Sequence, residues 1–178
     1  MGYDKSRLIV DGTPLAVRTA SLLQLVVGTV IEVGPGVSGL PATSEQPGGE
    51  GPLVAIAEGG RVLRERGHTG SALVIACDLP FLSQRLLRFL VDYESPGSVV
   101  PVVRGRAQPL CAKWSRHDLD DAAQLARDGI RSLKHLTTQP NVALLEESAW
   151  QDVAAETQFS DVDTPADIER FGLKSSPG

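Results

Sequence analysis

The stretch Ala72-Leu73-Val74-Ile75-Ala76-Cys77-Asp78-Leu79-Pro80 decides the fold class. An unbroken apolar run, with no polar alternation, ends on a carboxylate and a proline. So short a run reads as a strand buried on both faces, as a central parallel strand is. Pro80 breaks the extended chain, and Ser83 then stands as the N-cap of a helix reaching about Tyr93. Strand, turn and helix in that order are the repeating unit of an α/β layer fold. Ligands of such sheets collect at the carboxyl ends of the strands, which is where Asp78 sits.

Working outward, the same alternation continues. Upstream, Leu8 to Val10 reads as a strand closed by Asp11-Gly12, with Thr13 as the N-cap and Pro14 as the first residue of an amphipathic helix reaching Val26. Val30 to Val33 reads as a strand, and the Gly- and Pro-rich stretch from Gly34 to Gly51 as loop. Pro52 opens a helix to about Arg66, weakened by Gly59-Gly60. Downstream, Val99 to Val103 reads as a strand placed at an edge or bulge by Pro101. Arg104-Gly105-Arg106 is a hairpin tip returning through Leu110 to Trp114. A helix covers Ser115 to Asp128, stopped by Gly129. A short helix at Ser132 to Thr138, a late strand at Asn141 to Leu145 and a last helix capped by Thr164-Pro165-Ala166-Asp167 complete the pattern. Trp114 and Trp150 read as packing residues. The expected organisation is one domain over residues 1–173 with a frayed tail at 174–178.

Composition supports an ordinary globular chain. At 178 residues, with 42% apolar and 22% charged residues, the chain can bury a core without staples. The net charge of −5 disfavours non-specific nucleic-acid binding, so an anionic substrate must meet a local cluster of cations. Two cysteines, Cys77 and Cys111, lack metal-ligand spacing and point to a reducing cytosol. No apolar run is long enough to span a membrane, and the charged N-terminus does not read as a secretion signal. Met1-Gly2-x-x-x-Ser6 matches a loose acylation pattern, but no polybasic second anchor follows it.

Five features could carry chemistry, and each has a plainer reading. Asp78 could hold Mg²⁺ against phosphate oxygens, or simply shape the turn before a helix. Lys5, in Gly2-Tyr3-Asp4-Lys5, could neutralise phosphates, or be an exposed terminal lysine. The Pro47 to Pro52 loop opens onto a helix N-terminus that suits an anion or a flat base, or is a mobile connector. Asp161 and Asp163 could add a metal ligand, or act as helix caps. Arg104, Arg106 and Gln108, with Arg131 and Lys134, could gather a phosphorylated acceptor, or form a solvated face. His68, His117 and His135 have no mutual spacing that points to a metal site or triad, and read as surface residues. Neither a Gly-x-Ser-x-Gly elbow nor a Gly-x-x-x-x-Gly-Lys-Ser loop is present.

Taken in order, the motifs resemble one family. Met1-Gly2-x-Asp4-Lys5, Gly12-Thr13-Pro14-Leu15, Gly51-Pro52-Leu53, Cys77-Asp78-Leu79-Pro80-Phe81-Leu82, Gln108-Pro109-Leu110 and Asp161-Val162-Asp163-Thr164-Pro165-Ala166-Asp167 follow the pattern of the molybdenum-cofactor guanylyltransferases, over nearly the whole chain. The resemblance implies a three-layer α/β/α, Rossmann-like (GT-A-like) fold with a mostly parallel mixed sheet. It implies cytoplasmic transfer of GMP from Mg-GTP to molybdopterin, with release of pyrophosphate and transient cofactor-delivery proteins as partners. Position by position it makes Lys5 and Asp78 catalytic. Gly2, Asp4, Lys5, Glu45, Gln46, Gly51, Pro52 and Asp78 become nucleotide-binding, Arg106, Gln108 and Asp163 acceptor-binding, and Asp78 and Asp163 Mg²⁺ ligands. Gln46 stands where the family often carries an aspartate. Cytidylyl transfer to the same pterin, transfer to another small phosphate, and a truncated non-catalytic relative stay open.

The family pattern opens with a strand and a Leu-Ala-Gly-Gly-x-Ser-x-Arg loop directly before the Met-Gly-x-Asp-Lys match, whereas this chain starts at Met1. The resemblance thus implies a sheet lacking one central strand, with unpaired backbone beside it and a slot in the core. The expectation is a reading frame that begins further upstream, with an apolar strand ending in Ala-Gly-Gly.

Overall fold

The structure, a computed structural model, describes residues 5–45, 48–162 and 165–171. After a 3₁₀ turn at Lys5–Arg7, β1 (Ile9–Val10) and β2 (Thr13–Pro14) pair antiparallel across Asp11-Gly12. Both turn residues have positive φ, 51° and 79°, as a two-residue type I′ turn requires. This corrects the expected N-cap at Thr13: Thr13 and Pro14 belong to the hairpin, and α1 spans Leu15–Gln24. The first free N–H of α1, on Leu15, donates to the Leu8 carbonyl at 2.9 Å, so the hairpin backbone does the capping.

β3 (Glu32–Val33) and β4 (Ala42–Thr43) form a parallel pair, and β4 falls inside the stretch expected to be loop. Glu32 explains the return. Its carboxylate accepts the N–H groups of Gly36 (2.7 Å), Val37 (3.0 Å) and Ser38 (2.8 Å) and the Ser38 hydroxyl. Burial pushes the pKa of Glu32 up, but these bonds together outweigh it and hold the group below its ordinary value. α2 (Pro52–Glu65) starts behind Gly51, whose φ of 97° favours glycine. Gly59 and Gly60 cost helix propensity but let α2 pack closely. A Cβ on Gly59 would stand 3.1 Å from Val33, and one on Gly60 3.3 Å from Leu119 of α4.

The main sheet follows. Its elements are β5 (Ala72–Ile75), α3 (Gln84–Asp92), β6 (Ser98–Val103), β7 (Arg106–Ala107), β8 (Cys111–Trp114), α4 (Arg116–Arg127), α5 (Lys134–Thr137), β9 (Val142–Leu145), α6 (Glu147–Trp150) and α7 (Pro165–Arg170). Serine hydroxyls cap two of the helices: Ser83, as expected, accepts from Leu86 N–H, and Ser115, expected as the first helical residue, accepts from Asp118 N–H. β8 lies between β5 and β6, antiparallel to both, and β9 runs parallel to β6. The expectation of a mostly parallel sheet is therefore corrected. β5, β6 and β9 point the same way, but the returning strand β8 separates β5 from β6. The hairpin through Arg104-Gly105, with φ of 49° and 72°, sends the chain back to insert there.

Pro101 is likewise corrected from an edge or bulge to a strand paired on both sides. β8 meets β6 at Val99 and β7 meets it at Val102 and Val103, so the missing N–H falls where β6 changes partner. Its carbonyl still accepts Gln108 N–H at 2.8 Å.

Apolar side chains pack on both faces of this sheet. Leu73, Ile75, Val99 and Cys111 meet Leu86, Leu87 and Leu90 of α3 and Trp150 of α6. Ala72, Val74, Val100, Ala112 and Trp114 meet Leu53 and Ile56 of α2 and Leu119 and Ala122 of α4. The alternation along each strand is the period of two expected of a pleated sheet. Both tryptophans are fully buried, and each indole N–H finds a carbonyl, Pro109 for Trp114 (3.0 Å) and Val102 for Trp150 (3.2 Å). Burial pushes the Cys111 thiol up to about 12, which leaves it inert at neutral pH.

One edge of the sheet stays open. β5 pairs with β8 on one side, and among the described residues no strand pairs its other side. Beside that edge lies a cavity of about 610 Å³, lined by every residue from Ser71 to Asp78 and from Gly28 to Val33, and by residues of α1 and α2. The cavity thus flanks the unpaired edge of β5. β5 is consequently half-buried rather than central.

Candidate active site

β5 delivers Cys77 and Asp78 to its carboxyl end, the end where Ile75 faces Cys111. A turn follows at once, and Leu79 tucks into the core. The Asp78 carbonyl accepts the Val162 N–H at 2.9 Å, so the Asp161-Val162 segment is tied against Asp78 although 84 residues separate Val162 from it in sequence. Val162 is fully buried with Leu8, Val10 and Leu15, joined by Phe171. That small core brings the first and last parts of the chain together beside Asp78. Arg18 of α1 adds a second tie: its guanidinium reaches the carbonyls of Val10 and Pro80, each at 3.5 Å, and lies 3.6 Å from the Asp11 carboxylate. Arg18 had no motif to mark it in the sequence; only its place on the inward face of an amphipathic helix points to it.

Three expected motifs border the 610 Å³ cavity: Ser6, adjoining Lys5; Pro52, at the start of α2; and Asp78 with Cys77. The side chain of Lys5 and residues Gly2 and Asp4 lie outside the described residues, as do Gln46 and Asp163. Gly51 precedes the lining at Pro52, and its carbonyl accepts from Val54 and Ala55. Glu45 is not part of this lining; its carboxylate accepts Gly49 N–H at 3.2 Å and folds its own loop. Away from Ser6 and Asp78 the lining is largely aliphatic, with Val30, Ile31, Val33, Ile56, Leu63 and Leu119 among it.

A second cavity, about 640 Å³, has the opposite character. Arg104, Arg106, Gln108, Glu156, Asp161, Asp167 and Arg170 line it, with Val103, Phe159 and Phe171 as its apolar members. Arg104 is held by a bond from its Nε to Glu156 at 2.8 Å, and its main-chain N–H donates to Glu147 at 2.8 Å. Arg106 is exposed, and Gln108 Nε2 donates to the Arg106 carbonyl at 3.1 Å. Asp161 joins the two cavities, since it lines the second and adjoins Val162, which bonds Asp78. Arg131 is not in this group; it pairs with Glu50 at 2.6 Å, and Lys134 starts α5.

Comparison with known proteins follows the same lines. A chain from Bacillus cereus (strain ATCC 10987 / NRS 248), named a probable molybdenum cofactor guanylyltransferase, is 29% identical over 113 residues, 62% of this chain and 53% of its own length. A relative of the same name from Bacillus cytotoxicus is 26% identical over 121 residues, 65% of this chain and 56% of its own. The chain thus spans about half the length of the curated relatives it matches. Among solved structures, molybdopterin-guanine dinucleotide biosynthesis protein A from Archaeoglobus fulgidus superposes with a TM-score of 0.73 at 21% identity, covering 95% of this chain and 89% of that one. A protein of Aquifex aeolicus VF5 superposes with a TM-score of 0.69 at 12% identity, covering 84% of this chain and 79% of that one. These two likenesses show the fold. The sequence model of the MobA-like NTP transferase domain matches residues 1–143, most of the chain, and this chain belongs to that family.

Proposed function

We propose that this chain is a nucleotidyltransferase domain, read over residues 1–173, that transfers GMP from GTP to the terminal phosphate of molybdopterin and releases pyrophosphate. The observation that carries the reading is the meeting of Ser6, Pro52 and Asp78 on one cavity. Pro52 and Asp78 come from two separated motifs and Ser6 adjoins a third, and Asp78 follows the carboxyl end of β5, where ligands of such sheets collect. Family membership supports the reaction class. The named relatives support the guanylyl donor and the pterin acceptor. Cys77 and Cys111 are not joined in a disulfide, which suits the reducing cytoplasm.

Both reactants are anionic, so their repulsion is the barrier to lower. The acceptor phosphate is already ionised and needs no general base. A Mg²⁺ ion fits the donor chemistry, because carboxylate oxygens are its preferred protein ligands and the Asp78 carbonyl draws the Asp161-Val162 segment alongside. Asp78 and Asp163 would hold it, and it would offset charge on the phosphates when bound. Lys5 would bring its ammonium to the same triphosphate. Arg106 and Gln108 would receive the acceptor in the second cavity, and Asp163 would join them as the resemblance implies. Glu45 and Gln46 would set the base and ribose side.

A second reading has an observation in its favour. The open edge of β5 beside the slot suits a chain that is inactive until an apolar strand fills it. Unpaired backbone groups beside an apolar cavity are costly. Purified protein incubated with labelled GTP or CTP, Mg²⁺ and molybdopterin tests both readings. Pyrophosphate release with GTP supports the first. Release only with CTP replaces the base assignment. Release with neither, restored by an N-terminal aliphatic strand, supports the second.

A further inference from the structure

We propose that His117, Asp118 and Asp121, in the first turns of α4, form a binding site for a divalent ion of the zinc class. His117 and Asp121 stand one helical turn apart, with Nδ1 3.2 Å from the Asp121 Oδ2. Asp118 Oδ1 lies 3.7 Å from the same nitrogen. One ligand atom from each residue falls within 4.8 Å of the others. Ligands about 2.0–2.2 Å from a tetrahedral Zn²⁺ stand roughly 3.3–3.6 Å apart, so separations of 3.2 and 3.7 Å are within a small adjustment of one ion's shell.

The second observation is the state of Asp118. Its side chain is fully buried. Oδ2 is accounted for by the helix cap: it accepts from the Ser115 hydroxyl at 2.7 Å and from the Ser98 hydroxyl. Oδ1 is buried as well, and among the described residues it has no hydrogen-bond partner. A buried carboxylate oxygen left in that state is costly. The cap explains one oxygen and leaves the other aimed at the imidazole. An ion between them would satisfy it.

The donor set selects the class of ion. One imidazole nitrogen and two carboxylate oxygens suit Zn²⁺ or Mn²⁺, whereas Mg²⁺ prefers oxygen alone. His117 is exposed, which leaves an open side for water as a further ligand. The two carboxylates balance the ion's charge, so the helix dipole, which opposes a bare cation at this end, acts on a centre without net charge. The serines act from behind by orienting Asp118.

The site is separate from Asp78. Ser98 begins β6, and Trp114 at the end of β8 faces Ala72 at the start of β5; Asp78 follows the opposite end of β5. Comparing histidines with one another hides such a site, because its second and third ligands are carboxylates.

Titration of the full chain with ZnCl₂ by calorimetry, with Co²⁺ absorption as the spectroscopic readout, tests the site. One equivalent of Zn²⁺ is expected to bind and to raise the melting temperature. His117→Ala and Asp121→Asn are each expected to weaken binding at least about tenfold and to abolish the zinc-dependent shift in melting. Asp78→Ala is expected to leave zinc binding unchanged. Melting of each variant without zinc separates loss of the site from loss of the fold, and Asp118 is left intact because it caps α4. Absence of zinc binding in the wild type, or binding that neither substitution weakens, would overturn the proposal.

Discussion

The two cavities are almost equal in volume, about 610 and 640 Å³, and nearly opposite in chemistry. The first runs beside the open edge of β5, with aliphatic side chains along most of its lining and Asp78 among its few charged members. The second is rimmed by arginines and carboxylates from the β6–β7 hairpin and the C-terminal segment. Volume alone would rank them alike. In the proposed reading the triphosphate lies at the Asp78 end of the first and the phosphorylated acceptor in the second. The Val162–Asp78 bond makes them neighbours, as the proposed transfer would require.

Substitution at Asp78 attacks this contrast most strongly. Asp78→Ala is expected to lower the rate of pyrophosphate release by about 10²–10³, as loss of one electrostatic stabiliser does. Steady-state assays at saturating GTP and Mg²⁺ measure this, and an unchanged rate would remove Asp78 from the chemistry.

An N-terminal extension carrying five aliphatic residues is the next test, because it addresses the depth of the first cavity and leaves the second alone. It is expected to raise the melting temperature by about 5 °C or more, the shift from roughly 2 kcal/mol in a chain of this size. It should also slow amide exchange at Ala72 to Ile75. Exchange there unaffected by the extension would mean that the slot takes no strand.

Arg106→Ala addresses the second cavity alone. It is expected to raise KM for the acceptor roughly tenfold, the value of one hydrogen bond to a charged group, with little change in kcat or in KM for GTP. A change confined to GTP would exchange the roles of the two cavities.

The smallest effect concerns the wall of the first cavity. Glu32 titrates below its ordinary 4.5: burial works upward, but the bonds from Ser38, Val37 and Gly36 prevail. Its contribution to stability is therefore complete above about pH 4.5 and is lost as pH falls through the lowered folded value. Urea midpoints of wild type and Glu32→Gln should differ at pH 7 and converge towards pH 3. A constant difference would show that the 32–38 loop holds together by other means.

Local chemistry made much of this fold readable. The uninterrupted Ala72–Ile75 run, the serine cap at Ser83, Gly129 as a stop and the Arg104-Gly105 tip all act within a few residues, and each stands where the sequence puts it. The candidate site was legible as an ordered series of motifs rather than through any one of them. Features set by distant partners were hidden. β4 exists because Glu32 folds its own loop back, and Pro101 is tolerated because β6 changes partners there. Arg18 matters only because the turn at Pro80 comes within its reach.

Sequence alone determined most of the longer strands and helices, which carboxylate ends β5 and which family pattern the motifs follow. These depend on side-chain chemistry and spacing along the chain. Tertiary structure alone decided the order of strands, the antiparallel insertion of β8, the open edge of β5 and the tie of Val162 to Asp78. Those are pairings between residues far apart in sequence, chosen by which apolar faces and backbone edges can be satisfied together, and no local pattern records that choice.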